Sequence, residues 1–416
     1  MQATSPALAE TLRRRLLPLH VAAMLQGIML WLPVEKLFMM EIGFDAASVG
    51  VMAAAYAAVV PIVEFPSGIL ADRWSRRGVL VISSLALTGT ALVGGLSTGV
   101  PLYVVSALIL GIYFAMYSGT MDAIVYDTVL EETGDSDAYE RCLGRIRMVN
   151  SAALVGSSLA GGLLAGLLST RVTYFATVPI AALSIVALLG FREPQLHRAG
   201  EPAALRAHVA LTITTITRRR RLLPIIVLAM LTALVTQLVF EFGPLWLGAL
   251  DASPVLYGPL WAGLIASLGL GGLLAGRLQF DRPAHLVPLV AVMIVAAIVP
   301  ATVHNIAAVT CAQIALAIVV VAAGIHASKL LHDEVPSTIR TGVASGVSTL
   351  TWVVFLPLAL VFGFVSRDAG VFGAGWIIVG IACGTGVLLL VQIYPSAIDK
   401  GDMKTDAQSP QHAELS

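Results

Sequence analysis

Apolar runs of similar length follow one another from residue 16 to residue 393, separated by polar stretches that are mostly short. An α-helix needs about 20 apolar residues to cross ~30 Å of hydrocarbon. Runs of that size fall at 16–37, 47–71, 79–96, 102–122, 143–168, 172–191, 222–247, 256–275, 286–303, 307–326, 343–365 and 371–393, which predicts twelve membrane-spanning helices. The even number places both ends of the chain on one side of the bilayer.

Composition agrees with this pattern. Only 12% of the 416 residues are charged and mean hydropathy is +0.88, against about 25% charged in an ordinary soluble domain. The net charge of zero gives no reason to expect nucleic acid as a partner, so the placement of charge carries the information. With the termini and every even-to-odd connection on one side, only Lys36, Arg171 and Arg367 fall opposite, leaving 22 of the 25 Lys and Arg residues together. That bias predicts a multi-pass protein of the inner (plasma) membrane with both termini cytoplasmic. Cys142, Cys311 and Cys383 lie far apart with no metal-ligand spacing and read as small buried hydrophobes.

The longest connection carries seven arginines and ends in "RRRR". It divides the chain into an N-terminal six-helix bundle (1–191), a basic cytoplasmic linker (192–221), a C-terminal six-helix bundle (222–393) and a polar cytoplasmic tail (394–416). Weak internal similarity supports the division. Gly68, Leu70, Ala71 and Arg73 recur at an offset of 204 as Gly272, Leu274, Ala275 and Arg277. Asp45, Ala46 and Asp127 recur at 206 as Asp251, Ala252 and Asp333, and Gln26 and Pro33 at 211 as Gln237 and Pro244. Duplicated halves around a midplane site are a common plan for transporters.

The second and third predicted helices are joined by "GILADRWSRRGVL". Gly68 offers a small residue where helices approach, Asp72 a carboxylate for a neighbouring helix N-terminus, and Arg73, Arg76 and Arg77 cations for acids on the rim. The arginines serve equally well as anchors of topology. Gly68, Leu70, Ala71, Asp72, Arg73, Arg76 and Arg77 together resemble the cytoplasmic-loop signature of the major facilitator superfamily, with Ser75 in place of its second glycine. The resemblance implies an all-α membrane fold of twelve helices in two pseudo-symmetric bundles, working by alternating access around a cavity lined by spans one, four, seven and ten. It also implies that Asp72 latches the cytoplasmic side against the helix that begins near 341–343. Two signatures of drug/proton antiporters are poorly kept: Ala115, Ser118 and Gly119 stand where an Arg and a Gln-Gly pair would, and the span-five motif retains only Gly161 and Gly162. "VEFPSG" and "SGTMDAIVYD" resemble a bacterial branch of exporters.

Charges within the bilayer are functional candidates because each needs a partner, a cavity or the interface. Glu241 lies about 20 residues into span seven, between Phe240 and Phe242, with Gln237 and Pro244 one turn to either side. Desolvation there suits it to proton coupling or cation recognition, or to a structural bond with a neighbouring helix. Glu64, Glu35 and Asp127 are further proton-coupling candidates. Glu64 precedes Pro66 and suits packing or gating equally well, and Glu35 and Lys36 sit near the outer end of span one, either interfacial or neutralising one another. Gln26, Trp31, Asp122, Gln237, Phe240 and Phe242 are candidates to line a cavity for substrate, with Trp31 and Phe242 foremost. Arg145 and Arg147 are placed to pair with Asp122 and Asp127 as an inner gate.

No phosphate-binding Gly-x-x-x-x-Gly-Lys-Ser/Thr motif occurs, so an ion gradient or the substrate's own gradient would drive transport. The expectation is a monomeric secondary transporter with no cofactor or metal, carrying out proton-coupled efflux of a drug-like or amphiphilic compound. Uptake of a small nutrient by proton symport is the alternative. An intramembrane enzyme or sensor is disfavoured, since the histidines are scattered and the tail is short. The topology is checked by a Ser75→Cys variant: an impermeant thiol reagent should label it only after the cells are permeabilised.

Overall fold

A computed structural model describes residues 6–135, 138–194, 222–335 and 340–391, without the side chains of 6–9, 65, 69, 72, 118, 340–342, 344 and 345. Every long element among the described residues is an α-helix. They are α1 (Pro6–Gly27), α2 (Glu35–Glu41), α3 (Ala46–Arg73), α4 (Arg76–Leu96), α5 (Val100–Thr133), α6 (Tyr139–Leu167), α7 (Thr170–Leu189), α8 (Leu222–Phe242), α9 (Pro244–Ala249), α10 (Tyr257–Arg277), α11 (Pro283–Thr302), α12 (Ile306–Glu334) and α13 (Arg340–Val391). Among the described residues eleven stretches are long and apolar enough to cross a membrane, and the last holds two helices because Gly370 breaks it at φ 73°. The linker 195–221 and the tail 392–416 lie outside the described residues.

Local chemistry fixes the ends of these helices. A carboxylate or hydroxyl at the N-cap accepts from an otherwise unpaired backbone N–H: Asp45 from Ser48 N at 2.8 Å, Ser75 from Gly78 N at 2.8 Å, and Asn305 from Ala308 N at 3.0 Å. Gly134, at φ 77°, stops α5 in the left-handed conformation that glycine adopts without penalty. Both α5 and α12 run well past the apolar stretches 102–122 and 307–326, and the last turns of α5 are held by Arg15, which pairs with Glu131 and Glu132.

Two predicted spans are not continuous. The first breaks after Gly27, passes through a 3-10 turn over Leu32–Val34 and resumes as α2; the seventh breaks at Gly243 before α9. Pro33 and Pro244 lie at the breaks, where a residue without an N–H cannot extend a helix from its interior. Glycines make the breaks sterically possible. A Cβ on Gly161 would sit 2.0 Å from the Leu30 carbonyl oxygen, and one on Gly243 would sit 2.3 Å from that of Val239.

Packing repeats between the halves. In the first, α1 contacts α6 and α7, α3 and α4 contact α5, and α4 contacts α7; in the second, α8 contacts α13, α10 and α11 contact α12, and α11 contacts α13. The halves meet along α3 with α13 and α6 with α10. These seams are tightest at the end of the molecule away from the start of α1 and the finish of α13. A Cβ on Gly50 would meet Ala359 O at 2.6 Å, and one on Gly162 would meet Gly258 N at 2.8 Å. At this far end one apolar core runs through both halves, whereas at the terminal end the cores separate, one around Leu16 and Ile124 and another around Leu222 and Leu331. The structure is closed at its far end, and its cores are divided at its terminal end.

Gly68 is not at a close approach: α3 continues through it, and a Cβ there meets nothing within 4 Å. The tight glycine of this region is Gly78, whose Cβ would lie 2.7 Å from the Trp74 ring. Gly161→Ala should therefore lower the thermal midpoint of the purified protein, with a cost of about 2 kcal/mol typical of overpacking, while Gly68→Ala, in open space within a helix, does not lower it.

Candidate functional site

The break between α1 and α2 turns Glu35 and Lys36 inward at the far end, against the last turn of α8. Lys36 is 1% exposed. Its Nζ donates to Glu241 Oε1 and stands 3.2 Å from Glu35 Oε2. Tyr103 Oη donates to Glu35 Oε1 at 3.2 Å and is 2.7 Å from Tyr174 Oη. Phe38 packs on Tyr174 at 4.7 Å, Trp31 stacks on the same ring at 5.2 Å, and Arg171 covers Phe38 at 5.2 Å while donating to the carbonyls of Gly95 and Ser97. Glu35 and Lys36 are buried and Glu241 is partly buried, and the three form one ionic cluster shared between the two halves. Of the two readings of Glu35 and Lys36, the interfacial one is corrected, because the chain break carries both inward; they do neutralise one another, and α8 supplies a second carboxylate.

Several expected cavity residues are instead packing residues. Trp31 is 1% exposed, and Phe242 is fully buried with its ring 4.4 Å from Phe362. Gln26 is buried and donates to Ser84 Oγ at 2.7 Å, tying α1 to α4. Phe240 is half-buried and meets Trp261 edge-on at 6.0 Å. Gln237 does line a cavity, of about 280 Å³, with Thr232, Thr236, Ser328, Ser348 and Thr351 from α8, α12 and α13. Its Oε1 is buried with no hydrogen-bond partner among the described residues. Pro244 does not continue the face of Gln237 and Glu241, because the helix ends between them.

Aromatic residues do gather between the halves, but they are different ones. Tyr56 meets Phe114 and Trp352 edge-on, each at 6.3 Å, and Tyr113 stacks on Tyr117 at 5.5 Å. Tyr56 is on α3, Phe114 and Tyr117 on α5, and Trp352 on α13, so the group touches both halves near mid-depth.

At the terminal end, Ser75 and Arg76 open α4 beneath a carboxylate the sequence reading overlooked. Glu193 accepts from Ser75 Oγ at 2.6 Å, Arg76 N at 2.6 Å and Arg77 N at 3.3 Å, so the helix N-terminus holds the acid that follows α7. Arg76 pairs with Asp127 and donates to Ala123 O at 3.0 Å, and Arg77 donates to Phe191 O at 3.1 Å. Arg147 pairs with Asp122 at 2.7 Å as expected, whereas Arg145 turns away into a crevice beside α1. Both ion pairs lie within the first half, so neither bridges the two halves. Arg73 and Glu64 are exposed, and the side chains of Asp72 and Thr341 lie outside the described residues.

The sequence profile described as Major Facilitator Superfamily matches residues 16–331. The chain belongs to that superfamily. Among solved structures, this superfamily member is similar to nucleoside transporter NupG, with 18% identity, a TM-score of 0.72, and coverage of 90% of this chain and 97% of that one. It is also similar to the D-xylose-proton symporter, with 15% identity, a TM-score of 0.64, and coverage of 90% and 95%. At these identities the likeness establishes the fold. Multidrug resistance protein 1 of Bacillus subtilis (strain 168) is 27% identical over 169 residues, 41% of this chain and 42% of that protein. Multidrug resistance protein 2 of the same organism is 27% identical over 161 residues, 38% of each chain. The chain spans about two fifths of the length of these curated relatives.

Glu193 is the residue of this superfamily member that sequence reasoning passed over, and for Lys36 it offered Glu35 as partner without the bond to Glu241. A lysine between apolar segments signals a buried pair only when its partner is known, and Glu241 is 205 positions away. Lys36→Met leaves two facing carboxylates without their cation and should destabilise the protein by about 3–5 kcal/mol. Adding Glu241→Gln should restore most of that loss, a coupling that thermal midpoints of the two single variants and the double variant would measure.

Proposed function

We propose that this protein is a proton-coupled exporter of a small amphiphilic compound, working by alternating access with Glu241 as the proton carrier. The reading is carried by one observation: Lys36 of the first half holds a carboxylate of the second half inside the closed far end. If the halves part at that end, Lys36 stays with Glu35 and Glu241 loses its cation. A carboxylate stranded in that way either takes a proton or remains as a costly unpaired charge. Uptake from the far side followed by release when Lys36 recovers Glu241 moves one proton inward per cycle. With the positive-inside distribution, the terminal end faces the cytoplasm, and the inward proton drives substrate the other way.

Substrate contact is assigned to the aromatic group of Tyr56, Phe114, Tyr117 and Trp352 together with Gln237. Flat faces suit an apolar or cationic ring system, and the free Gln237 Oε1 suits a hydrogen-bond donor on the ligand. The partial similarity to multidrug resistance proteins favours export. The hydroxyls of Thr232, Thr236, Ser328, Ser348 and Thr351 around Gln237 favour a second reading, proton-coupled uptake of a polar nutrient.

A proteoliposome assay with an imposed pH gradient separates these readings. Export predicts that substrate moves against the proton flux, uptake that it moves with it. Glu241→Gln should abolish gradient-driven accumulation while leaving equilibrative exchange of substrate in place. Transport indifferent to the gradient would exclude proton coupling, and a coupled Glu241→Gln variant would exclude Glu241 as the carrier.

A further inference from the structure

A crevice of about 810 Å³ opens at the terminal end between the first turns of α1 and α6. It brings Arg13 and Arg14 of α1 together with Arg141 and Arg145 of α6, residues more than 120 positions apart in sequence. Glu10 is the one acid among its lining residues, 3.2 Å from Arg13 Nε and 2.9 Å from Arg14 Nε. Arg141 and Arg145 have no ion pair or hydrogen bond among the described residues. His20 also lines the crevice and its Nδ1 is engaged with the Leu16 carbonyl at 2.9 Å. Four guanidinium groups thus face a single carboxylate.

Neighbouring arginines are matched quite differently. Arg15, on the other face of α1, is shared by Glu131 and Glu132, Arg76 is paired with Asp127 and Arg147 with Asp122. The excess charge is therefore local to the crevice rather than general to this end of the protein. Apolar side chains continue from it along the direction of the membrane. Leu17 is 57% exposed and Met148 is 65% exposed, both lining the crevice, and Met24 follows Leu17 two turns along the same face of α1.

We propose that this crevice is a binding site for the headgroup of an anionic phospholipid. The arginines hold its phosphodiester through charge-assisted hydrogen bonds, and Leu17, Met24 and Met148 carry its acyl chains. Guanidinium suits this task because its planar fork meets two phosphate oxygens at once. A soluble phosphate would satisfy the arginines but leave the apolar strip uncovered, which is why a lipid is favoured as the source of the phosphate. A lipid held there joins the base of α1 to that of α6. The proposal is independent of the transport reading.

The test compares full-length protein in nanodiscs of phosphatidylcholine doped with a fluorescent phosphatidylglycerol or a fluorescent phosphatidylcholine, read by quenching from a probe on Cys142. Phosphatidylglycerol should be enriched at the crevice. Arg141→Gln with Arg145→Gln should reduce its affinity by roughly 30-fold, the effect expected for two cations near a membrane surface. Arg13→Gln with Arg14→Gln should give a smaller loss, since Glu10 already occupies part of their capacity. Both variants are compared at matched helical content by circular dichroism; if one double variant fails to fold, the other carries the comparison. Equal quenching by the two lipids would overturn the proposal, as would an unchanged affinity in the folded variants. Displacement of the lipid by millimolar glycerophosphate as readily as by unlabelled phosphatidylglycerol would also overturn it, leaving a site for soluble anions.

Discussion

A lysine ammonium held away from water between two carboxylates is the constraint around which this structure is organised. Removing such ions from water costs several kcal/mol each, and attraction between them repays that cost only at close range with the remaining lone pairs engaged. Glu35 and Lys36 come from one half and Glu241 from the other, so the cluster is complete only while the far end is closed. Tyr103, bonded to both Glu35 and Tyr174, fixes the part of the cluster that belongs to the first half. The charges are divided unequally, one lysine and one acid on the first half and a single acid, Glu241, on the second.

The backbone makes that cluster possible. A continuous span would carry Glu35 along the face of a straight helix, but the break from Gly27 to Val34 swings α2 across the top of the first half, and the break at Gly243 makes Glu241 almost the last residue of α8. Glycine seams then bring the halves close enough for a short lysine bridge. The opposed pairs Gly50 with Gly363 and Gly162 with Gly258 have no side chains between the backbones, so helix can approach helix directly. Such contacts rest on shape rather than on strong individual bonds, and they can form and part as units.

The terminal end is built on the opposite principle. Its ion pairs, Arg76 with Asp127 and Arg147 with Asp122, and the Glu193 contacts at the start of α4 all stay within the first half. They make that half rigid without tying it to the second, and the separate cores on each side are consistent with the same division. One end of the protein is thus joined by charge and close packing, while the described contacts at the other end leave the halves independent.

Sequence alone determined the environment, the number of crossings and the duplicated plan, because apolar length and the recurrence of Gly, Pro and charged positions are local properties that a bilayer reads directly. It also singled out Glu35 and Glu241, which the structure brings to one ionic cluster, and Gln237, which lines a cavity, since charge and amide groups inside an apolar run are conspicuous wherever they point. It misplaced Trp31 and Phe242: an aromatic side chain in a span is equally suited to a cavity wall and to a packed core, and only the neighbours Tyr174 and Phe362 decide. It passed over Glu193, and over the bond of Lys36 to Glu241, because those partners are far away along the chain. Which carboxylate meets which cation and which end is closed are set by helices far apart in the sequence, and so were decided by the tertiary structure.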